Sequence, residues 1–125
     1  EYYDGGICDP IPIKKAIEDG NEKHLIILTQ PKGYKKELSK KNVIVAKLLN
    51  SKYPKLKDAL LNRHDSYNEI VRFCEELESQ GKALILRPEF SLESFEKDVN
   101  KLKANYNHGY DLATKKINDI KNLFI

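Results

Sequence analysis

A chain of 125 residues with 40% hydrophobic residues and a net charge of +3 is suited to one soluble domain, spanning residues 1–125. The distant cysteines Cys8 and Cys74 exclude a disulfide framework or a cysteine zinc site, and both are predicted to be buried thiols. No apolar run reaches the roughly 18 residues of a membrane span. The three histidines have no other soft ligand at metal-binding spacing, so neither a metal nor a cofactor is predicted.

The first predicted element is a strand that ends at Asp4, followed at once by Gly5 and Gly6. Such a strand end raises a carboxylate, and two glycines permit close approach of another backbone. The alternative is an Asp-Gly turn without chemistry. A short helix over residues 12–19 should follow, beginning at Pro12 and stopping at Gly20.

The next element is a continuous apolar run from His24 to Thr29, which predicts a parallel strand buried on both faces. A strand, a short helix and a second strand form a right-handed crossover unit. The pattern therefore predicts that the Asp4 and Thr29 ends lie on the same edge of the sheet.

A basic segment comes next, with nine lysines and one acidic residue between positions 32 and 57. One interpretation is a helix that lies on an anionic membrane surface through four of these lysines: Lys40, Lys41, Lys47 and Lys52. The alternative is a solvated segment whose apolar side packs on the sheet. Nucleic-acid binding is not predicted, because almost all of the positive charge is lysine and no nucleic-acid motif accompanies it.

The remaining elements are mostly helical. Apolar periodicity predicts a long helix or a kinked pair over residues 54–79, ended by Gly81, and then a strand over residues 83–86. A final helical segment runs from about Phe95 to Phe124 and is interrupted at Gly109. The pattern predicts a helix-rich α/β fold with a parallel-type sheet and flanking helices.

The N-terminal string Tyr-Asp-Gly-Gly-Ile-Cys-Asp-Pro-Ile-Pro resembles the Asp-Gly-Gly motif of the patatin-like phospholipases. Weaker similarities follow downstream, among them Asn62-Arg63-His64 and Tyr67-Asn68-Glu69. The resemblance implies a three-layer α/β fold and a Ser-Asp dyad in which Asp4 is the base. Gly5 and Gly6 would shape the turn, and Asp9 would hold it or cap the following helix. The substrate would be a lipid or another acyl ester.

The chain departs from that family because no Gly-x-Ser-x-Gly nucleophile motif is present. Ser79 has Gly81 two residues later, but Leu77 occupies the other required glycine position. We therefore expect a C-terminal part of a lipid acyl hydrolase that is inactive alone, is prone to self-association and lies in the cytoplasm, in peripheral contact with a membrane. The alternative is a non-catalytic α/β module that binds a membrane surface or a protein.

Overall fold

The computed structural model describes residues 4–49 and 52–125, and these form a helix-rich α/β protein with a small parallel sheet. The described chain divides into two compact units. Among the described residues, the first comprises 4–19, 35–49 and 52–73, and the second comprises 20–34 and 74–125. The predicted strand before Asp4 falls on residues 1–3, which lie outside the described residues.

The first unit is helical in its described residues. It contains a 3₁₀ turn (Gly5–Ile7), helix α1 (Ile13–Glu18), helix α2 (Lys40–Leu49) and helix α3 (Pro54–Ser79) as far as Phe73. Helix α1 confirms the short helix predicted after Pro12, and α3 confirms the long helix as one uninterrupted element. The most buried apolar side chains of this unit come from all three helices: Ile13, Ala46, Leu60 and Ile70.

The second unit contains the sheet. Strands β1 (His24–Ile27) and β2 (Ala83–Leu86) pair in parallel, with His24 opposite Ala83 and Ile27 opposite Leu86. Parallel pairing requires a crossover connection, and here that connection includes α2 and α3. The two predicted strands that fall on described residues are confirmed, and so is the parallel direction of the sheet.

Strand β1 is buried on one face only, so the prediction of burial on both faces was wrong. His24, Ile26 and Leu28 are buried, whereas Leu25 is partly exposed and Ile27 is 73% exposed. Successive side chains of a strand point to opposite faces of the sheet. A continuous apolar run is therefore fully buried only where both faces of the sheet are covered.

The edge of β2 that faces away from β1 is protected by a side chain of α3. The Ile85 N–H donates to Glu78 Oε1 at 2.7 Å. Alternation of backbone groups along the strand points this N–H away from β1, so it would otherwise present an unpaired donor at the sheet edge. Glu78 thereby limits pairing of another strand at this position.

The C-terminal segment forms helices α4 (Val99–Lys115) and α5 (Ile117–Leu123). The interruption predicted at Gly109 was wrong, because Gly109 lies inside α4 and the break falls at Lys116. Lys116 leaves the helical conformation (φ −97°, ψ 7°) and its backbone N–H donates to carbonyls of the last turn of α4. Glycine lowers helix propensity by only about 1 kcal/mol, which a 17-residue helix tolerates.

Candidate functional site

The Asp4 side chain closes the turn that it begins. Asp4 is the N-cap of the 3₁₀ turn, and its Oδ1 accepts the Gly6 N–H at 2.9 Å. The Asp4 carbonyl oxygen accepts the Ile7 N–H at 3.1 Å. The carboxylate is therefore held by the backbone of its own turn. Because Asp4 is exposed, the carboxylate also remains accessible to solvent.

The two glycines after Asp4 leave space around the turn. Neither has a positive φ angle, so the backbone conformation does not itself require glycine. A Cβ added at Gly5 would meet nothing within 4 Å, and one added at Gly6 would lie 3.4 Å from Asp4 Oδ1. Among the residues that the structure describes, no other backbone atom is recorded within 4 Å of either Cβ position, so the space that another backbone would need is open there.

Asp9 contributes to the turn through its backbone, whose N–H donates to the Gly5 carbonyl oxygen at 2.9 Å. The N-cap of α1 is Pro12, which makes no side-chain capping bond. Of the two roles predicted for Asp9, capping of this helix is therefore not observed. Asp9 instead lines a cavity of about 390 Å³, together with Cys8, Lys14, Ser66, Glu69 and Phe73. Cys8 is exposed, so the prediction that it is a buried thiol was wrong.

Helix α3 contacts the Asp4 turn through the side chain of an arginine. Arg63 Nε donates to the Gly6 carbonyl oxygen at 3.2 Å, across 57 positions of sequence. The backbone of Gly6 is therefore held at both ends, its N–H by Asp4 and its carbonyl by Arg63. A hydrogen bond from a charged donor is stronger than a neutral one, which favours a fixed position for the turn.

The same helix also holds the loop before α2. Asn68 forms two hydrogen bonds with the backbone of Lys36, and the Lys36 ammonium lies 5.1 Å from the centre of the Tyr67 ring. Burial, and secondly the nearby Arg63 charge, lower the pKa of Lys36 below its ordinary value. Arg63 and Asn68 belong to the motifs Asn62-Arg63-His64 and Tyr67-Asn68-Glu69, whose weak similarity to the patatin-like family was their only signal in the sequence.

Residues 53–125, more than half of the chain, match the family described as Domain of unknown function (DUF6363). The chain belongs to this family. The DUF6363 match begins one residue before α3 and includes Arg63 and Asn68, whereas the Asp4 turn and α2 precede it. No curated protein and no solved structure matches the chain.

The basic helix α2 lies upstream of the DUF6363 match. Lys40, Lys41 and Lys47 are on α2 and are exposed, whereas Lys52 follows the helix. The Lys52 ammonium lies 5.3 Å from the centre of the Tyr53 ring. The structure therefore places three of the four predicted lysines on one helix, and the fourth over an aromatic ring.

Among the described residues, no group of three or more histidine, cysteine, aspartate or glutamate side chains is arranged to hold a metal ion. Over the same residues, no helix has both the length and the apolar character needed to cross a membrane.

Proposed function

We propose that this DUF6363 protein supplies the acidic residue of a Ser-Asp dyad in a patatin-like serine lipid acyl hydrolase, with Asp4 as the base. The substrate would be the ester of a phospholipid or a related lipid, in a cytoplasmic setting at a membrane. The observation that carries the proposal is the Asp4 carboxylate itself, exposed and held at 2.9 Å by the Gly6 N–H.

The proposed reaction proceeds in two acyl transfers. In the first, a serine Oγ bonds to the ester carbonyl carbon while Asp4 accepts the serine proton. The bond from this carbon to the alkoxy oxygen then breaks, and the departing alcohol takes that proton. In the second transfer, a water molecule gives a proton to Asp4 while its oxygen bonds to the acyl carbon. The bond from this carbon to serine Oγ then breaks, Oγ takes the proton back from Asp4, and the fatty acid is released. The serine would come from polypeptide beyond residues 1–125.

Two features of the turn support this role for Asp4. A base must keep one orientation while the proton moves, and the Gly6 N–H orients the carboxylate. Arg63 binds the carbonyl oxygen of the same residue, Gly6, at 3.2 Å, so we assign it as a positioning residue. Open space at Gly5 leaves room for a serine-bearing backbone.

The experiment compares ester hydrolysis by the full natural polypeptide with that of its Asp4→Asn variant and a matched Asp58→Asn control. Asp58 is an exposed acid on α3, so its change tests the general effect of removing a carboxylate. We expect Asp4→Asn to lower kcat/KM about a hundredfold or more, as for loss of a general base, while Asp58→Asn leaves it unchanged. Equal rates in wild-type and Asp4→Asn proteins would contradict the proposal.

A second candidate is a non-catalytic module that binds a membrane surface or a protein. It is favoured by one observation, since the Asp4 to Gly6 hydrogen bond explains an aspartate at this position as a turn residue without any chemistry. Under this proposal, Asp4→Asn would change the stability of the N-terminal turn and no catalytic rate.

A further inference from the structure

Helix α2 carries an apolar stripe on its exposed side. Ile44 is 61% exposed, Val45 43% and Leu48 77%. Successive residues of a helix are about 100° apart, so these three side chains occupy one side of α2. Ala46, fully buried, lies on the opposite side. α2 therefore turns three large apolar side chains outward in addition to the apolar residues on its covered side, whereas an ordinary surface helix exposes mainly polar residues.

Cations border this stripe. Lys40 and Lys47 lie seven residues apart, two turns of helix, and flank the stripe on one side. Lys41 lies on the same side of α2 as the stripe, near the N-terminal end of the helix. All three are exposed, and α2 contains no acidic residue.

We infer that α2 lies in the plane of an anionic lipid surface, with Ile44, Val45 and Leu48 among the acyl chains and the lysine ammonium groups at the phosphate level. Exposed apolar side chains gain free energy when lipid removes them from water, and long lysine side chains reach back to the headgroups. Anionic lipids add attraction for each lysine near the surface. This inference goes beyond the proposed acyl transfer and does not depend on it.

Charge favours a lipid surface over a second copy of the chain. Two copies of α2 meeting through the same face would bring six ammonium groups together with no acidic residue of either α2 to compensate them. An anionic bilayer supplies the missing negative charge and the apolar phase at once. An acidic protein surface is the competing partner, and the experiment separates it from lipid.

The direct test uses tryptophan as a depth probe, because the chain contains no natural tryptophan. Leu48→Trp places a single indole in the stripe, and Tyr106→Trp places one at an exposed position of α4 as the matched control. Vesicles of equimolar phosphatidylcholine and phosphatidylserine are added to each variant. We expect a blue shift of emission and quenching by brominated acyl chains for Leu48→Trp only. An unshifted Leu48→Trp spectrum, or equal shifts in both variants, would overturn the inference.

A sedimentation assay with the same vesicles separates the charge from the apolar contribution. Replacing Lys40, Lys41 and Lys47 by glutamine should weaken binding about a hundredfold. The double variant Ile44→Ser, Leu48→Ser should weaken it roughly tenfold or more. The matched controls are three exposed lysines in and just before α4, Lys97, Lys103 and Lys115, replaced by glutamine, and Leu102→Ser. They should bind as the wild type does.

Three results would refute this docking mode. One is that the α2 variants sediment with the vesicles as fully as the wild type does. Another is loss of binding with the lysine variant but not with the serine variant, since α2 would then be held by charge alone without insertion. The third is an absence of wild-type binding to these vesicles, which would favour an acidic protein surface as the partner of α2. None of these results depends on ester hydrolysis, so they leave the proposal for Asp4 separately testable.

Discussion

The Asn68 side-chain amide pairs with the backbone of Lys36 as one strand residue pairs with another. Its Oδ1 accepts the Lys36 N–H at 2.8 Å, and its Nδ2 donates to the Lys36 carbonyl at 2.9 Å. Because 32 positions separate the two residues, this pair joins the loop before α2 to α3. It satisfies both backbone groups of a part-buried residue in one contact.

Asn68→Ala is expected to lower the free energy of unfolding by about 1–3 kcal/mol, since it leaves the Lys36 N–H and carbonyl without their partner. Urea denaturation measures the change. Asn62→Ala is the matched control, an exposed asparagine on the same helix, and should have a small effect because alanine is the better helix former. If the two variants were equally stable, the contribution of the Asn68 pair would be negligible.

The two cysteines should differ in reactivity toward a thiol reagent. Cys74 has no exposed surface, and burial raises the pKa of its thiol from 9.0 to about 11. At about pH 8 the Cys74 thiol is therefore mostly protonated and shielded, whereas Cys8 is exposed. We expect one rapidly modified thiol in the native protein, lost in Cys8→Ser and kept in Cys74→Ser. Two rapid thiols would contradict the buried position of Cys74.

The loop before α4 should give a pH-dependent contribution to stability. The Glu96 carboxylate accepts the Asp98 and Lys97 N–H groups, each at 2.8 Å, and lies 3.3 Å from the Lys101 ammonium. The Asp98 hydrogen bond first, and then the other contacts, hold the pKa of Glu96 below its ordinary value of 4.5. An acid whose pKa is lower in the folded state than in the unfolded state stabilises the folded protein at a pH above its unfolded-state pKa. This contribution is lost as the pH falls through the folded-state pKa.

The measurement is urea denaturation of wild-type and Glu96→Gln proteins over a pH series. The stability difference should be constant above pH 4.5 and should shrink as the pH falls from 4.5 through the lower folded-state pKa. Glu93→Gln, an exposed acid in the same loop, is the control. A difference that stays constant into acid would mean that Glu96 ionisation does not contribute.

Phe95 has a backbone conformation that glycine would adopt more easily. Its φ is +65°, and its side chain is 95% exposed, so it has little apolar burial to lose. Phe95→Gly should raise the free energy of unfolding by up to about 1 kcal/mol, because a left-handed conformation costs an L-residue roughly 1–2 kcal/mol. Thermal denaturation measures the shift in Tm.

Phe90→Gly is the matched control, and it should lower Tm. The Phe90 ring centre lies 4.7 Å from that of His108, so this substitution removes a ring contact. A fall in Tm for Phe95→Gly as large as that for Phe90→Gly would show that the Phe95 side chain contributes more than its backbone strain costs.

Helix and strand positions were largely predictable because their signals are local. Pro12 and Gly20 delimit α1, and Gly81, with φ of +68°, follows the end of α3. The break between α4 and α5 was not predictable from Gly109, because a glycine within a long helix is tolerated when its neighbours keep their hydrogen bonds. The role of Asp4 in dyad chemistry remains a prediction from the resemblance.

By itself the sequence determined the order of the elements and the positions of two short apolar strands, since periodicity and the punctuation by Gly and Pro act within a few residues. Tertiary structure alone decided which side of a helix or strand is covered. It turned Ile44 and Leu48 outward on α2, exposed Ile27 on β1 and joined Arg63 to Gly6. Burial and long-range hydrogen bonds depend on which distant segments meet, and the spacing of residues along one segment does not encode that.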